Sequence, residues 1–113
     1  DYLIEIFALV DTDATANGVG LCLNGPASPV SVNGVSMQPS TTTAQISQSF
    51  TAYNGAAAGT GFATATADNL CYLRAIVRNG INARTLRGVV RSELATNNII
   101  VRVGSVMRWR QLN

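Results

Sequence analysis

The feature that most restricts the fold of this chain is an Asn-Gly pair that recurs along it, at residues 17–18, 24–25, 33–34, 54–55 and 79–80. Both residues of such a pair tolerate the positive φ angles of the type I′ turns that join β-hairpins. Turns at this spacing leave room for short strands only. We therefore expect many short strands joined by tight turns, with a hairpin around Asn33-Gly34.

Apolar residues recur with a period of two between these turns, which is typical of half-buried strands. The alternation is clearest in NLCYLRAIVR (69–78), where the arginines and Ile76 share one face and Leu73 and Val77 share the other. In LIEIFALV (3–10) both faces are largely apolar, which indicates a central strand covered on both sides. The segment 56–68 is rich in small residues, and we expect it to hold a loop and a strand packed closely against a neighbour.

These patterns predict an all-β fold, an antiparallel β-sandwich of about eight short strands, most simply with a jelly-roll topology. A barrel of the OB type is the alternative, but it would normally have fewer and longer strands. A length of 113 residues predicts a single domain over residues 1–113. Because the chain begins at Asp1 rather than Met, we expect either a processed chain or a piece of a longer protein.

Charge is distributed unevenly along the sequence. All eight cations are arginines at residue 74 or later, and five of the six acids precede them. Such an asymmetry can mark a half of the chain that faces nucleic acid or a membrane. The other interpretation, that acidic and basic strands pair within one sheet, is favoured because the arginines are spaced along strands rather than clustered.

Histidine and lysine are absent from the sequence, and their absence removes most catalytic arrangements. Without histidine there is no common base to activate a serine or cysteine nucleophile. Without lysine the glycines do not form a phosphate-binding loop of the P-loop type. Glu5 and Glu93 are the only glutamates, and nothing in the sequence brings them together as a glycosidase pair. We therefore predict no enzyme activity, no catalytic residue and no cofactor.

Residues that could bind a metal are also few. Cys22 and Cys71 do not suffice for a zinc site. Their apolar surroundings predict buried free thiols, and a disulfide is the alternative if the protein matures outside the cytosol. Asp11 and Asp13 in DTDATANG faintly resemble the start of a calcium loop, but the twelfth position of that loop is Cys22 instead of glutamate. We expect an Asx turn there and no metal site.

The C-terminal segment VRVGSVMRWRQLN (101–113) alternates arginines with apolar residues, and its Gly104-Ser105 step predicts a bulge or a tight turn. With 47% hydrophobic and 12% charged residues, against about 25% charged on average, we expect a partner to cover part of the surface. Arginine and tryptophan suit such contacts. The candidate interface residues are Arg74, Arg78, Arg87, Arg91, Arg108, Trp109 and Arg110. The alternative is that Trp109 fills the sandwich core and the arginines are solvated.

Three stretches carry a resemblance to a known family: ADNLCYLRAIVRNG (67–80), TLRGVVRSEL (85–94) and IIVRVGSVMRWRQL (99–112). In this order they resemble the second half of small β-sandwich domains in virion proteins of tailed bacteriophages and prophages. The first part of the chain is similar to them in architecture only. Several such domains, in head decorations, fibres and tail appendages, are trimeric jelly rolls of the tumour necrosis factor and complement C1q type.

The resemblance implies a structural protein of the virion, assembled in the host cytoplasm, that forms a homotrimer. Its partners would be capsid or tail subunits and a glycan of the host surface. The alternative function is a nucleic-acid- or glycan-binding β-module that uses arginines beside Tyr72 and Trp109. Nucleic acid is the less favoured ligand because the acidic half offsets the arginines. The longest apolar run, LIEIFALV, contains Glu5 and is far shorter than the about 18 residues of a membrane span, so we expect no span.

Overall fold

The computed structural model describes residues 1–40, 44–55, 61–62 and 66–112. Within these ranges the chain forms eight β-strands and no helix. The strands are β1 (Tyr2–Thr12), β2 (Val19–Asn24), β3 (Ser31–Pro39), β4 (Gln45–Phe50), β5 (Asn69–Arg78), β6 (Arg87–Ser92), β7 (Ile99–Val101) and β8 (Val106–Gln111). Every pairing among them is antiparallel, which confirms the all-β antiparallel prediction.

The strands form two sheets of unequal size. The larger has six strands, in the order β4-β3-β5-β1, and both β7 and β8 pair with the far side of β1. The smaller consists of β2 and β6. They pack against each other as an unequal sandwich, and a jelly-roll topology stays a prediction. Because β1 is the longest strand and pairs along most of its length with β5, it is the centre of the fold.

The core lies between the two sheets. Directly opposite residues of antiparallel strands share a face, and one face of the β1–β5 pair is buried throughout. That face carries Ile4, Ile6, Ala8 and Val10 of β1 and Cys71, Leu73, Ala75 and Val77 of β5. The small sheet covers it closely, because a Cβ on Gly88 of β6 would lie 2.8 Å from Cδ1 of Ile6.

The expectation that β1 is covered on both sides is wrong for the described residues. Leu3, Glu5, Phe7 and Leu9 lie on the face of β1 opposite to the core, and all four are only half-buried. No described strand packs over them, because the second sheet lies on the core side alone. An apolar strand thus has one face in the core and the other beside solvent.

The Asn-Gly pairs do not form the expected hairpin turns. Of their residues only Asn54 has a positive φ, 58°, and a type I′ turn needs positive φ at both central positions. The pair Asn33-Gly34 lies inside β3, so the predicted hairpin there is wrong. Gly34 instead serves packing, because a Cβ at this position would collide with the ring of Phe50 on the neighbouring β4.

Asn17, the asparagine of the first pair, is a buried link between strands. Its Nδ2 donates a hydrogen bond to Oγ1 of Thr12 at 3.1 Å. Its Oδ1 accepts from Oγ of Ser92 at 2.8 Å and from the backbone N–H of Leu94 at 3.0 Å. The Asn17 side chain therefore connects the end of β1 with the end of β6 by hydrogen bonds. The turn propensity of Asn-Gly does not predict this role.

The Gly104-Ser105 step interrupts the edge strand, as predicted. The register passes from Val10 opposite Val101 to Phe7 opposite Val106, so four residues of the edge face two of β1. Gly104 takes a φ of 98°, and the hydroxyl of Ser105 accepts a hydrogen bond from the N–H of Leu9 at 2.9 Å. The Ser105 hydroxyl thus takes the place of a backbone acceptor where the hydrogen-bond ladder between β1 and the edge strands is interrupted.

Cys22 and Cys71 are both buried, as their apolar surroundings predict. Burial raises the pKa of the Cys71 thiol to about 12. The strand expected within residues 56–68 lies largely outside the described residues. Of that segment, Gly61 and Phe62 are buried, and Phe62 belongs to the core.

Candidate interaction surface

The uncovered side of the six-stranded sheet, called here the open face, carries most of the predicted interface residues. Its β1 residues are Leu3, Glu5, Phe7 and Leu9. Its residues on the other strands are Val35 and Met37 of β3, Leu70, Tyr72, Arg74, Ile76 and Arg78 of β5, and Val106, Arg108 and Arg110 of β8. The strand register therefore brings together four of the seven predicted interface residues, namely Arg74, Arg78, Arg108 and Arg110.

An ion-pair cluster occupies the middle of the open face. Glu5 lies in register between Arg74 and Arg108, and its carboxylate accepts from Nε of Arg108 at 2.8 Å. Nε of Arg74 is 3.7 Å from the other carboxylate oxygen, and the Tyr72 hydroxyl lies 3.5 Å from that same oxygen. Most of the surface of Glu5 is thereby covered while both arginines stay exposed. The acid and its neighbours confirm the interpretation that acidic and basic strands pair within the sheet.

Aromatic rings extend this cluster along the strands. The rings of Phe7 and Tyr72 have centroids 5.0 Å apart, and the guanidinium of Arg108 lies 5.3 Å from the centroid of Phe7. Contacts of this kind favour a fixed arrangement of side chains on the sheet surface. The centre of the open face is thus preorganised before any partner binds.

Apolar side chains surround the cluster and are exposed to solvent. The exposed fractions are 56% for Leu70, 45% for Ile76 and 50% for Val106. Exposed apolar side chains that surround a polar centre on one sheet face are consistent with a protein interaction site. The described residues therefore present an uncovered sheet face on which apolar and ionic groups are both available.

β8 forms the rim of the open face and an edge of the sheet. Every residue of β8 is exposed, and β1 is its partner among the described strands. A strand at a sheet edge presents unpaired backbone groups to which another chain can add. The terminal strand can therefore contact a second molecule through its backbone as well as its side chains.

Trp109 does not fill the core, and that alternative is wrong. It is 64% exposed and lies opposite Ile4, on the face of β8 that points toward the second sheet. The reason is geometric: the second sheet has two strands and is too narrow to cover β8. Trp109 packs against Tyr2 edge to face, with ring centroids 5.7 Å apart.

Arg87 and Arg91 are separated from the other predicted interface residues. Both lie on β6 in the small sheet, and Gly88 between them faces Ile6 in the core. Since side chains alternate along a strand, the two arginines point away from the six-stranded sheet. The candidate interface of seven residues is therefore not one continuous surface.

The two aspartates of DTDATANG take structural roles. Asp11 is buried and forms an ion pair with Arg102, which also approaches Asp68 with its Nε at 3.6 Å. Asp13 accepts a hydrogen bond from the backbone N–H of Asn98 at 3.1 Å. Among the described residues no group of three or more His, Cys, Asp or Glu side chains is placed to hold a metal ion. A search of the same residues finds no helix with the length and hydropathy needed to cross a membrane.

Sequence reasoning missed the roles of Glu5 and Phe7 in this surface. Glu5 is the only charged residue within the apolar segment 3–10, and that isolation was the available signal. An acid in the middle of a strand next to arginine-bearing strands predicts a cross-strand ion pair. The pairing of β1 with both β5 and β8 was not visible, because it depends on residues far apart in the chain.

Comparison with protein-family models, with curated proteins and with solved structures finds no match for this chain. A proposal about its function therefore rests on the residues and their arrangement.

Proposed function

We propose that this chain is a non-enzymatic structural subunit that associates with copies of itself through the open face. The observation that carries the proposal is the uncovered side of the six-stranded sheet, where Leu70, Ile76 and Val106 are exposed around the Glu5 ion pairs. Removing such apolar area from water stabilises an assembly by about 25 cal/mol per Å². A second copy is the favoured occupant because an apolar composition predicts partner coverage and the arginines on this face are already largely paired.

We propose a ring as the assembly. When the β8 edge of one copy lies on the open face of the next, the contact joins two different surfaces, and such head-to-tail contacts close into rings or extend into filaments. The proposed ring is a trimer. Arg110 supports this arrangement, since it lies at the rim of the open face without an ion pair to the described residues and is available to a carboxylate of a neighbour.

The proposed setting is the particle of a tailed bacteriophage. There the trimer would decorate the capsid or form part of a fibre or tail appendage, beside capsid or tail subunits and in reach of a host-surface glycan. The resemblance of residues 67–112 to virion β-sandwich domains supports this setting. The exposed edge strand supports it as well, because an edge can add to a neighbouring sheet of another virion protein.

A module that binds nucleic acid or glycan is the second candidate function, and the exposure of Trp109 beside Arg110 favours it. An exposed aromatic ring flanked by cations is a stacking platform for single-stranded nucleic acid. Glu5 weakens this candidate, because it pairs with Arg74 and Arg108 on the open face, whereas Trp109 lies on the opposite face of β8. The first candidate is therefore the stronger one.

The solution mass of the purified chain tests the proposal. We expect light scattering to give a trimer at low and at high salt, because apolar burial is weakly affected by screening. Ile76→Lys places a charge on the open face and should yield a monomer. Ile81→Lys is the matched control, since Ile81 is fully exposed in the β5–β6 connection and should leave the trimer unchanged.

A monomeric wild-type chain at both salt concentrations would overturn the proposal. If that monomer also bound a single-stranded oligonucleotide, with an affinity that falls steeply as salt is added, the second candidate would replace the first.

A further inference from the structure

A cleft of about 460 Å³ opens between the two sheets next to β8. It forms because β8 extends beyond the two-stranded sheet, so this end of the core has no described strand over it. Three aromatic residues, Tyr2, Tyr53 and Trp109, line it together with apolar side chains such as Leu86 and Met107. The volume and the mainly apolar lining fall in the range of sites for small organic molecules.

Two buried polar atoms of this lining have no hydrogen-bond partner among the residues that the structure describes. They are Oη of Tyr53 and Oδ1 of Asn79. Burying a polar atom without a partner is unfavourable, so each atom favours a ligand that would complete its hydrogen bonds. Nδ2 of Asn79 already donates to the backbone oxygen of Asn82 at 3.4 Å, which leaves the amide oxygen as an acceptor.

A cation borders the same cleft. Arg84 is exposed and forms no ion pair with the described residues. The described residues that line the cleft include no acid. An arginine that lies beside an aromatic cleft and has no carboxylate partner among the described residues is suited to bind an anion from outside the chain.

We propose that this cleft binds a two-ring aromatic carboxylate that also carries a hydrogen-bond donor. The rings would lie among Tyr2, Tyr53 and Trp109, the donor would bond to Oδ1 of Asn79, and the carboxylate would pair with Arg84. This inference goes beyond the proposed self-association and does not rest on it, because the cleft faces the core side of β8 and the open face lies on the other side.

Calorimetric titration of the full chain with 4′-hydroxybiphenyl-4-carboxylate tests this site. Biphenyl-4-carboxylate, which lacks the donor, should bind about tenfold more weakly, the loss expected for one hydrogen bond. The matching 4′-hydroxybiphenyl-4-carboxamide, which lacks the charge, should also bind about tenfold more weakly. Equal affinity for the three compounds would show nonspecific apolar partition and would overturn the proposal.

Matched variants locate the binding. Arg84→Met should weaken the carboxylate about tenfold and leave the carboxamide unchanged. Arg87→Met removes another exposed arginine, on β6 and outside the cleft, and should change neither affinity. Absence of binding to the wild type, or equal losses in the two variants, would overturn the assignment. Repeating the titration on Ile76→Lys, with its mass measured in parallel, distinguishes failure of this site from failure of self-association.

Discussion

At the scale of single residues, Glu5 controls the charge of the open face. Its carboxylate is shared by Arg74 and Arg108, so Glu5→Gln leaves two adjacent arginines without a counter-charge. Because both arginines are exposed, we expect a loss of about 0–1 kcal/mol in the free energy of unfolding. Self-association should weaken more, and it should weaken most at low salt, where repulsion between like charges is least screened.

Light scattering of Glu5→Gln at low and high salt measures this effect. Asp13→Asn changes the net charge by the same amount, keeps an oxygen for the hydrogen bond from Asn98 and lies off the open face, so it is the control. If Glu5→Gln assembled like the wild type at low salt, the Glu5 cluster would lie outside the contact between copies.

Cys71 makes the stability of the fold depend on pH. Burial raises the pKa of its thiol from 9.0 to about 12. A group whose pKa is raised on folding contributes stability below its unfolded pKa, and that contribution is lost as pH rises toward the folded value. Above pH 9 the wild type should therefore lose about 1.4 kcal/mol per pH unit relative to Cys71→Ala, until about pH 12.

Urea unfolding of the wild type and of Cys71→Ala at pH 8, 9.5 and 11 measures this difference. Tyr53, whose pKa is also raised by burial, is present in both chains and does not enter the comparison. A stability difference that stays constant over this pH range would show that the Cys71 thiol ionises as readily in the folded chain as in the unfolded one.

At the scale of strands, the contact of Gly34 with Phe50 fixes how β3 lies against β4. A methyl group on Gly34 collides with the Phe50 ring, so we expect Gly34→Ala to reduce the free energy of unfolding by about 1–3 kcal/mol. The loss should be smaller in a Phe50→Leu background, where the ring is absent, but should not vanish, because the added Cβ would still lie 2.8 Å from the Cβ of Ala75. Equal losses in both backgrounds, measured by urea unfolding, would contradict the packing explanation.

A strand could be predicted from the sequence where its alternation of buried and exposed residues is a property of one segment. The alternation of Leu73, Ala75 and Val77 with Arg74 and Ile76 is a property of one segment, and β5 has that buried and exposed alternation. The turns predicted from the Asn-Gly pairs were wrong because turn propensity is a weak local preference. At Asn33-Gly34 the pairing of β3 with both β4 and β5 outweighed that preference. The close packing of the Phe50 ring against Gly34 is a tertiary contact, and turn propensity carries no information about tertiary contacts.

For the surface, the sequence predicted the residues better than their arrangement. Arg74, Arg78, Arg108 and Arg110 share the open face because their strands pair with β1 in register. Arg87 has the same local pattern but lies in the other sheet, and the assignment of strands to sheets depends on long-range pairing. The cleft was not predictable for the same reason, since Tyr2, Tyr53 and Arg84 come from distant parts of the chain.

At the scale of the whole molecule, a six-stranded sheet with two strands on one side leaves its other side, the open face, uncovered by the described strands. If copies bind through the open face, the assembled state is favoured by mass action, and the midpoint temperature of unfolding (Tm) rises with protein concentration. A hundredfold excess over the dissociation constant contributes about 2.7 kcal/mol. For a domain of this size each kcal/mol corresponds to a Tm change of about 4 °C.

We therefore expect the Tm of the wild type, measured by calorimetry, to rise by about 10 °C between about 5 μM and about 500 μM chain. Ile76→Lys should have a Tm that does not change with concentration, because the charged side chain prevents a copy from covering the open face. Ile81→Lys should follow the wild type, since Ile81 lies outside that face. A wild-type Tm that is independent of concentration, in a chain that stays monomeric, would mean that the two sheets alone stabilise the fold and that the open face is free for another kind of partner.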